Sequence, residues 1–214
     1  MTNRVHCKSE ACDVYIGRPS KWGNPFSHVP SKHPVKYASD RQQAVEKYRE
    51  WIVEGEGRDL LRDIYELRDK NLGCHCASGE LCHGDVLADL ANMKKVAIVG
   101  CRDKDGKEWD DFQFLVNKMI DMFENLDYAV ISGGARGADK LAKDWCKSYT
   151  AGKVYIEYPA DWNKYGRQAE ILRNTEIIRA ADEVVAFWDG KSTGTRDSIR
   201  KAQQLKKDTH IFYI

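Results

Sequence analysis

From Val96 to Tyr213 the chain alternates short apolar runs with longer amphipathic stretches, and this alternation restricts the possible folds more than any other feature. The apolar runs are Val96–Gly100, Tyr128–Ser132, Val154–Glu157, Glu183–Phe187 and His210–Tyr213. Between them lie helical patterns over Glu108–Phe123, Ala138–Ser148, Arg167–Ala180 and Thr195–Leu205. Apolar strands that alternate with amphipathic helices predict a parallel sheet covered on both faces. The expected fold class is therefore α/β, with a Rossmann-like parallel sheet in the C-terminal part. In such a sheet ligands gather beyond the carboxyl ends of the strands.

Four loops are expected there: Gly100-Cys101-Arg102-Asp103, Ser132-Gly133-Gly134, Pro159-Ala160-Asp161-Trp162, and the segment from Trp188 to Thr195. The stretch Ser132-Gly133-Gly134-Ala135-Arg136-Gly137-Ala138-Asp139 reads as strand end, glycine turn and helix start. A helix N-terminus offers unpaired N–H groups and a positive dipole end, which together favour an anion. Glycine lets a phosphate approach the backbone with no Cβ in the way. The stretch fits neither the P-loop nor the dinucleotide G-x-G-x-x-G spacing, and many α/β proteins turn tightly here with nothing bound. Its convergence with Arg102, Trp162 and the second glycine turn at Gly194-Thr195 points to a ligand with a phosphate and an aromatic base, on which indole can stack.

Lys94-Lys95 marks a seam. Residues 1–93 are expected to form a smaller α/β domain and residues 94–214 the Rossmann-like one. In the first, Arg4–Cys7 and Asp13–Ile16 read as strands, followed by a loop over Gly17–Pro34. Arg18, Lys21, Trp22 and Asn24 group a cation, an aromatic face and an amide that suit a base or a phosphate. Alternatively, Trp22, Pro25 and Phe26 plug a small core. Asp40 is positioned to cap a helix carrying Ala44, Val45, Tyr48, Trp51 and Ile52. A second helix is expected with Leu60, Leu61, Ile64 and Leu67 on one face. A strand then ends near Cys76, and a helix runs from about Cys82 to Met93.

The segment Cys74-His75-Cys76 to Cys82-His83 concentrates thiols and imidazoles. Three readings remain open. The residues are structural or touch a ligand, cysteine being a small buried hydrophobe. Or Cys82, at a helix N-terminus beside His83, is a reactive thiolate. Or Cys74, Cys76, Cys82 and His83 hold a metal, although C-x-C-x5-C-H is not a standard zinc spacing; Cys7 and Cys12 could complete a site. No metal and no cofactor is assigned, and the catalytic candidates are Cys82 and His83.

The 34 basic and 33 acidic residues give a net charge of +1, which disfavours a dedicated nucleic-acid binder. No apolar run approaches membrane-spanning length, so no membrane partner is expected. The N-terminus has no apolar signal-peptide core. The seven cysteines, an odd number, are then expected in a reducing cytoplasm without a disulfide framework.

Several motifs together resemble the SLOG superfamily, in particular its YspA-like branch. They are Val99-Gly100-Cys101-Arg102, Ser132 to Asp139, Tyr158-Pro159-Ala160-Asp161-Trp162, Arg173-Asn174 and Gly194-Thr195. The resemblance spans nearly all of residues 95–214. It implies a Rossmann-type fold that binds nucleotides or nucleotide-derived ligands, among them ADP-ribose-related signals. The ligand-binding residues it implies are Gly100, Arg102, Ser132, Gly133, Gly134, Gly137, Asp139, Trp162, Arg173, Asn174, Gly194 and Thr195, joined by Arg18, Trp22 and Asn24 from the first domain. Some members, the LOG phosphoribohydrolases, cleave an N-glycosidic bond with a glutamate in P-G-G-x-G-T-x-x-E, whereas the Smf DNA-processing proteins bind single-stranded DNA. Here Ser198 stands where that glutamate would be, and a serine cannot do a carboxylate's work. Another carboxylate could substitute from elsewhere, such as Asp103, Asp139 or Asp161. Residues 12–93 resemble a domain of unknown function common in bacteriophage and bacterial genomes, through Val14-Tyr15-Ile16-Gly17-Arg18, Lys21-Trp22-Gly23-Asn24-Pro25-Phe26, Gly73-Cys74-His75-Cys76 and Cys82-His83-Gly84-Asp85-Val86-Leu87.

The resulting expectation is a cytoplasmic two-domain homo-oligomer that binds a nucleotide-derived small molecule, as a phage-encoded sensor or counter-defence sponge in the bacterial host cytoplasm. The alternative is an enzyme that cleaves or transfers a nucleotide or nucleobase moiety. A weaker alternative is single-stranded nucleic-acid binding, with Arg102, Arg136, Arg167 and Arg173 tracking phosphates.

Overall fold

A computed structural model of the chain describes residues 1–102, 112–123, 127–148 and 154–214. The chain divides into two compact units, Met1–Met93 and Lys94–Ile214. No helix among the described residues is long and apolar enough to cross a membrane.

In the first unit, strands β1 (Asn3–His6), β2 (Val14–Tyr15), β3 (Phe26–Ser27) and β4 (Lys36–Tyr37) precede helix α1 (Arg41–Val53). A 3₁₀ helix (Arg58–Leu67), strand β5 (Asn71–Cys74) and helix α2 (His83–Asn92) follow. The strands pair in the parallel order β1-β5-β2, with Arg4 opposite Leu72 and Val14 opposite Leu72 on the other side. The central strand β5 buries Leu72, Gly73 and Cys74. Strand β3 lies inside the stretch expected to be loop and pairs with β4, just beyond it, in a separate two-stranded ladder. Asp40 caps α1 as expected, its carboxylate accepting from the Gln43 N–H at 2.8 Å.

The second helix of this unit differs from expectation in type. Arg58–Leu67 winds as a 3₁₀ helix, whose three residues per turn stack positions i, i+3 and i+6 on one line. Leu61, Ile64 and Leu67 have that spacing and are at most 1% exposed, whereas Leu60 falls off the line and is only half-buried. The rest of the core comprises Ile16, Trp22, Tyr48, Ile52, Leu72 and Leu87, all buried.

The second unit is a Rossmann-like α/β layer structure. Its elements are β6 (Lys94–Gly100), α3 (Phe112–Phe123), β7 (Tyr128–Ser132), α4 (Ala138–Ser148), β8 (Val154–Glu157), α5 (Trp162–Tyr165), α6 (Ala169–Ala180), β9 (Glu183–Trp188), α7 (Thr193–Gln204) and β10 (Asp208–Tyr213). All five strands are parallel, in the order β10-β9-β6-β7-β8. The chain starts at the central strand β6, builds outward through β7 and β8, then returns to the other side of β6 as β9. The strand order therefore reverses between β6 and β9, where the loops leaving the two strands part and open a crevice. One face of the sheet packs Val96, Ile98, Val130, Val185 and Phe187 against Ala138, Ala142 and Trp145 of α4 and Met119 of α3. Trp145 stacks on Tyr128 at a centroid distance of 6.2 Å.

The helix expected over Arg167–Ala180 begins later. Gly166 has φ +49°, and the chain passes through the short α5 and a 3₁₀ turn before α6 starts at Ala169. The start of the helix expected over Glu108–Phe123 lies outside the described residues.

The three-residue face of the 3₁₀ helix makes a checkable difference. Ile64→Ala and Leu61→Ala are expected to cost about 2–5 kcal/mol each, as for deletions from a closed core. Leu60→Ala is expected to cost less than about 1 kcal/mol. Chemical denaturation of the three variants measures this, and equal losses at Leu60 and Leu61 would refute the assignment of the face.

Candidate functional site

The crevice between β6 and β9 holds a cavity of about 550 Å³, within the range of small-molecule sites. Its walls come from the end of β6 and the loop after it (Gly100, Arg102), the turn into α4 and its first turn (Ala135, Asp139), helix α6 with its preceding turn (Arg167, Glu170, Arg173, Asn174) and the start of α7 (Ser192, Thr193, Gly194, Thr195 and Ser198). Of the residues singled out in the sequence, Gly100, Arg102, Asp139, Arg173, Asn174, Gly194 and Thr195 line it. Ser132, Gly133, Gly134, Gly137 and Trp162 do not.

The reason lies in a single carboxylate. Asp139, in the first turn of α4, folds back so that Oδ2 accepts from the N–H groups of Gly133 at 3.1 Å and Ala135 at 3.3 Å. Arg173 from α6 donates to the same oxygen at 3.2 Å. The anion in this glycine turn is thus the protein's own. Burial pushes the Asp139 carboxyl up, against the opposing pull of Arg173 and the two N–H groups. A Cβ on Gly133 would lie 0.8 Å from Arg173 Nη1, so the glycine makes room for a guanidinium and not for a phosphate. Gly137, at φ +83°, lets the chain pass over the end of β6, where a Cβ would meet the Cys101 carbonyl at 2.4 Å. Trp162, expected to stack a base, is 54% exposed and stands away from the cavity.

The other glycine turn remains open. Ser192 caps α7, its hydroxyl accepting from the Thr195 N–H, and Asp189 in turn accepts from the N–H groups of Lys191 and Ser192. Gly194 has open space where a Cβ would stand. The first turn of α7 therefore presents N–H groups that have no intrahelical acceptor to the cavity. Arg102 and Arg167 add positive charge to the wall; Arg102 is paired with Glu170, which also lies near Arg173 at 3.7 Å. Glu170 was not singled out in the sequence. Its signal is the i, i+3 spacing to Arg173 on one helix.

Ser198 lines the cavity floor, buried, with its hydroxyl donating to the Gly194 carbonyl at 3.1 Å. The carboxylates in the walls are engaged: Asp139 and Glu170 with arginines, Asp189 with backbone N–H groups. Of the other substitutes considered, Asp161 caps α5 through the Lys164 N–H and Asp103 lies outside the described residues; Asp197, next to Ser198 in the chain, pairs with Lys201 and Arg200.

In the first unit a second cavity of about 400 Å³ is lined by Arg18, Asn24, Arg41, Cys74, Cys76, Cys82 and His83, among others. Arg18 Nη1 is buried without a hydrogen-bond partner among the described residues. Asn24 is committed to the backbone, accepting from the Phe26 N–H and donating to the Ala44 carbonyl. Trp22 is 3% exposed and outside the cavity, a core residue whose carbonyl accepts from the Tyr48 hydroxyl. This is the core-plug reading of the loop, and it replaces Trp22 as a ligand contact.

Cys82 caps α2, its sulfur accepting from the Gly84 N–H at 3.3 Å. Hydrogen bonding with the Cys74 and Cys76 thiols, and burial, push Cys82 up. The same contacts, with Cys74 first, push Cys76 down, and Arg41 donates to its sulfur at 3.6 Å. His83 is pushed down by burial and its Nε2 lies 2.9 Å from the Ile16 carbonyl. Cys7 pairs instead with His75 at 3.3 Å. All seven cysteines are free thiols.

Residues 2–93 match the domain of unknown function DUF4326, and residues 94–165 match the YspA, cpYpsA-related SLOG family. The chain belongs to these two families, joined in one polypeptide. It is 36% identical over 118 residues to the Gene 61 protein of Mycobacterium phage D29, covering 52% of this chain and 90% of that protein. It is 38% identical over 99 residues to an uncharacterized protein of Acanthamoeba polyphaga mimivirus, covering 38% of this chain and 68% of the relative. Among solved structures, DNA processing protein A from Helicobacter pylori aligns with a TM-score of 0.41 at 23% identity, over 55% of this chain and 64% of that one.

Asp139 and Arg173 are expected to behave as one buried unit. Asp139→Ala leaves the buried guanidinium with only the longer Glu170 contact and is expected to cost about 3–5 kcal/mol in chemical denaturation. An Asp139→Leu, Arg173→Met double variant should recover much of that loss; a loss equal to the sum of the two single variants would refute the coupling.

Proposed function

We propose that the SLOG-family unit binds a nucleotide or nucleotide-derived small molecule, of the ADP-ribose, NAD-related or cyclic-nucleotide class, in the crevice between β6 and β9. The observation that carries the reading is the open first turn of α7 facing a cavity of about 550 Å³ with Arg102 and Arg167 in its wall. In this reading the phosphate sits on the N–H groups at Thr193 and Gly194, where the helix dipole alone contributes about 0.3–1 kcal/mol. Asn174 and Arg102 contact the remainder of the ligand. The turn from Ser132 to Gly137 supports the site from behind, through Asp139 and Arg173, without touching the ligand.

Binding without turnover is favoured over N-glycosidic cleavage. Ser198 occupies the position of the hydrolase glutamate and spends its hydrogen on the Gly194 carbonyl. Among the described residues each wall carboxylate already has partners, which leaves none of these free to manage a proton or stabilise a sugar cation. A binder of this kind, with a mycobacteriophage relative, suits a virus-encoded sensor or a protein that sequesters a nucleotide signal. Single-stranded nucleic acid is the less favoured ligand, because Arg173 is buried in its ion pair and cannot track a phosphate chain.

A thermal-shift panel of nucleotides, ADP-ribose isomers and cyclic nucleotides tests the proposal. A ligand at a hundredfold excess over Kd is expected to add about 2.7 kcal/mol of stability. Arg102→Ala should weaken it by roughly tenfold, or about 1.4 kcal/mol, and chromatography should recover the ligand intact. Silence across the panel, or free base released in a manner that Arg102→Ala abolishes, would overturn the reading.

A further inference from the structure

Three thiols and one imidazole meet at the point where β5 ends and α2 begins. Cys74 closes β5 and Cys76 follows in the bend just after it, and their sulfurs stand 3.7 Å apart. Cys82 Sγ and His83 Nδ1 are also 3.7 Å apart. The ligating atoms of Cys74, Cys82 and His83 all lie within 4.8 Å of one another. In a tetrahedral zinc site, Zn–S bonds of about 2.3 Å and Zn–N bonds of about 2.0–2.1 Å set neighbouring ligand atoms about 3.5–3.8 Å apart.

The imidazole is already in the state a metal needs. His83 Nε2 faces the Ile16 carbonyl at 2.9 Å, and a carbonyl only accepts, so Nε2 carries the hydrogen. The lone pair is therefore on Nδ1, on the side of the thiols. A ligating histidine characteristically donates its other ring N–H to a backbone carbonyl in this way. The edge-on Tyr48 ring, 5.1 Å from the imidazole, further limits its rotation. The sulfurs have donors suited to thiolates. Cys82 accepts from the Gly84 N–H at the start of α2, and Cys76 accepts from Arg41. The wall around them adds Arg18, so the net negative charge of three thiolates and a divalent cation has cationic neighbours.

We propose that Cys74, Cys76, Cys82 and His83 form a Cys₃His site for a structural zinc ion. The soft donors favour zinc over magnesium or calcium. Four protein ligands close the coordination sphere, which marks a structural rather than a catalytic site. The ion ties the end of the central strand to the start of α2. It also fixes one wall of the neighbouring cavity, with Cys76 and Arg41 at its rim.

Elemental analysis of the full chain, purified without chelator, tests the proposal. About one zinc per chain is expected, and Co²⁺ exchanged into the site should give the thiolate-to-cobalt charge-transfer absorption of a tetrahedral centre. Cys76→Ser, at a half-buried position, and His83→Gln should lose the zinc, whereas Cys12→Ser, at an exposed position outside the cluster, should keep it. Should either ligand variant misfold, a mercurial reagent added to the unmodified chain must release zinc as the thiols are consumed. Iron in place of zinc, no metal and no uptake of Co²⁺ under reducing conditions, or zinc retained in both ligand variants would each overturn the assignment. The nucleotide panel reads the other unit and succeeds or fails independently.

Discussion

The second unit depends on how Asp139 is satisfied. Its carboxylate lies in the interior, where an unpaired charge costs several kcal/mol. Two backbone N–H groups of the glycine turn and the Arg173 guanidinium supply that compensation. The same oxygen therefore shapes the turn after β7, fixes the first turn of α4 and draws α6 over the sheet. Arg173 can approach because Gly133 has no side chain, and α4 can approach the end of β6 because Gly137 has none. A polar contact buried this deeply adds directional constraint to the apolar packing of Trp145, Tyr128 and Phe187.

This arrangement also decides which helix is available to a ligand. Helices α4 and α7 both begin beside the same crevice, and both have orphan N–H groups by the geometry of a helix start. At α4 the chain's own carboxylate has taken the turn. At α7 the cap is Ser192, a neutral hydroxyl, and the next two residues, Thr193 and Gly194, are small and exposed. Electrostatics then leaves α7 as the end where an external anion has the most to gain, with Arg102 and Arg167 in the adjacent wall.

The first unit has a different centre. Its sheet is short and its core small, and its densest polar cluster is the group of thiols around His83. Tyr48 packs edge-on against His83, and the Tyr48 hydroxyl donates to the Trp22 carbonyl, so α1 and the loop before it share one anchor with α2. The loop that reads in sequence as an aromatic binding surface is thereby drawn inward. Among the polar residues it still brings to the cavity wall, Arg18 has an Nη1 that is buried and unmatched among the described residues.

Local pattern alone determined the parallel α/β class, the Asp40 cap and nearly every strand of the second unit, because alternation and capping are properties of neighbouring residues. It also identified the cysteine-rich segment and the strand-end loops. It did not distinguish an α-helix from a 3₁₀ helix over Arg58–Leu67, since Leu60 and Leu61 satisfy a helical face until packing selects one. Tertiary structure alone decided that the first glycine turn is filled from within, that Trp22 is core and Trp162 exposed, and that His83 presents Nδ1 to the thiols. The reason is distance along the chain. Asp139 and Arg173 are 34 residues apart, and His83 and Ile16 are 67 apart. Whether an N–H, a carboxylate or a ring nitrogen is free depends on a partner that only the folded chain brings within reach.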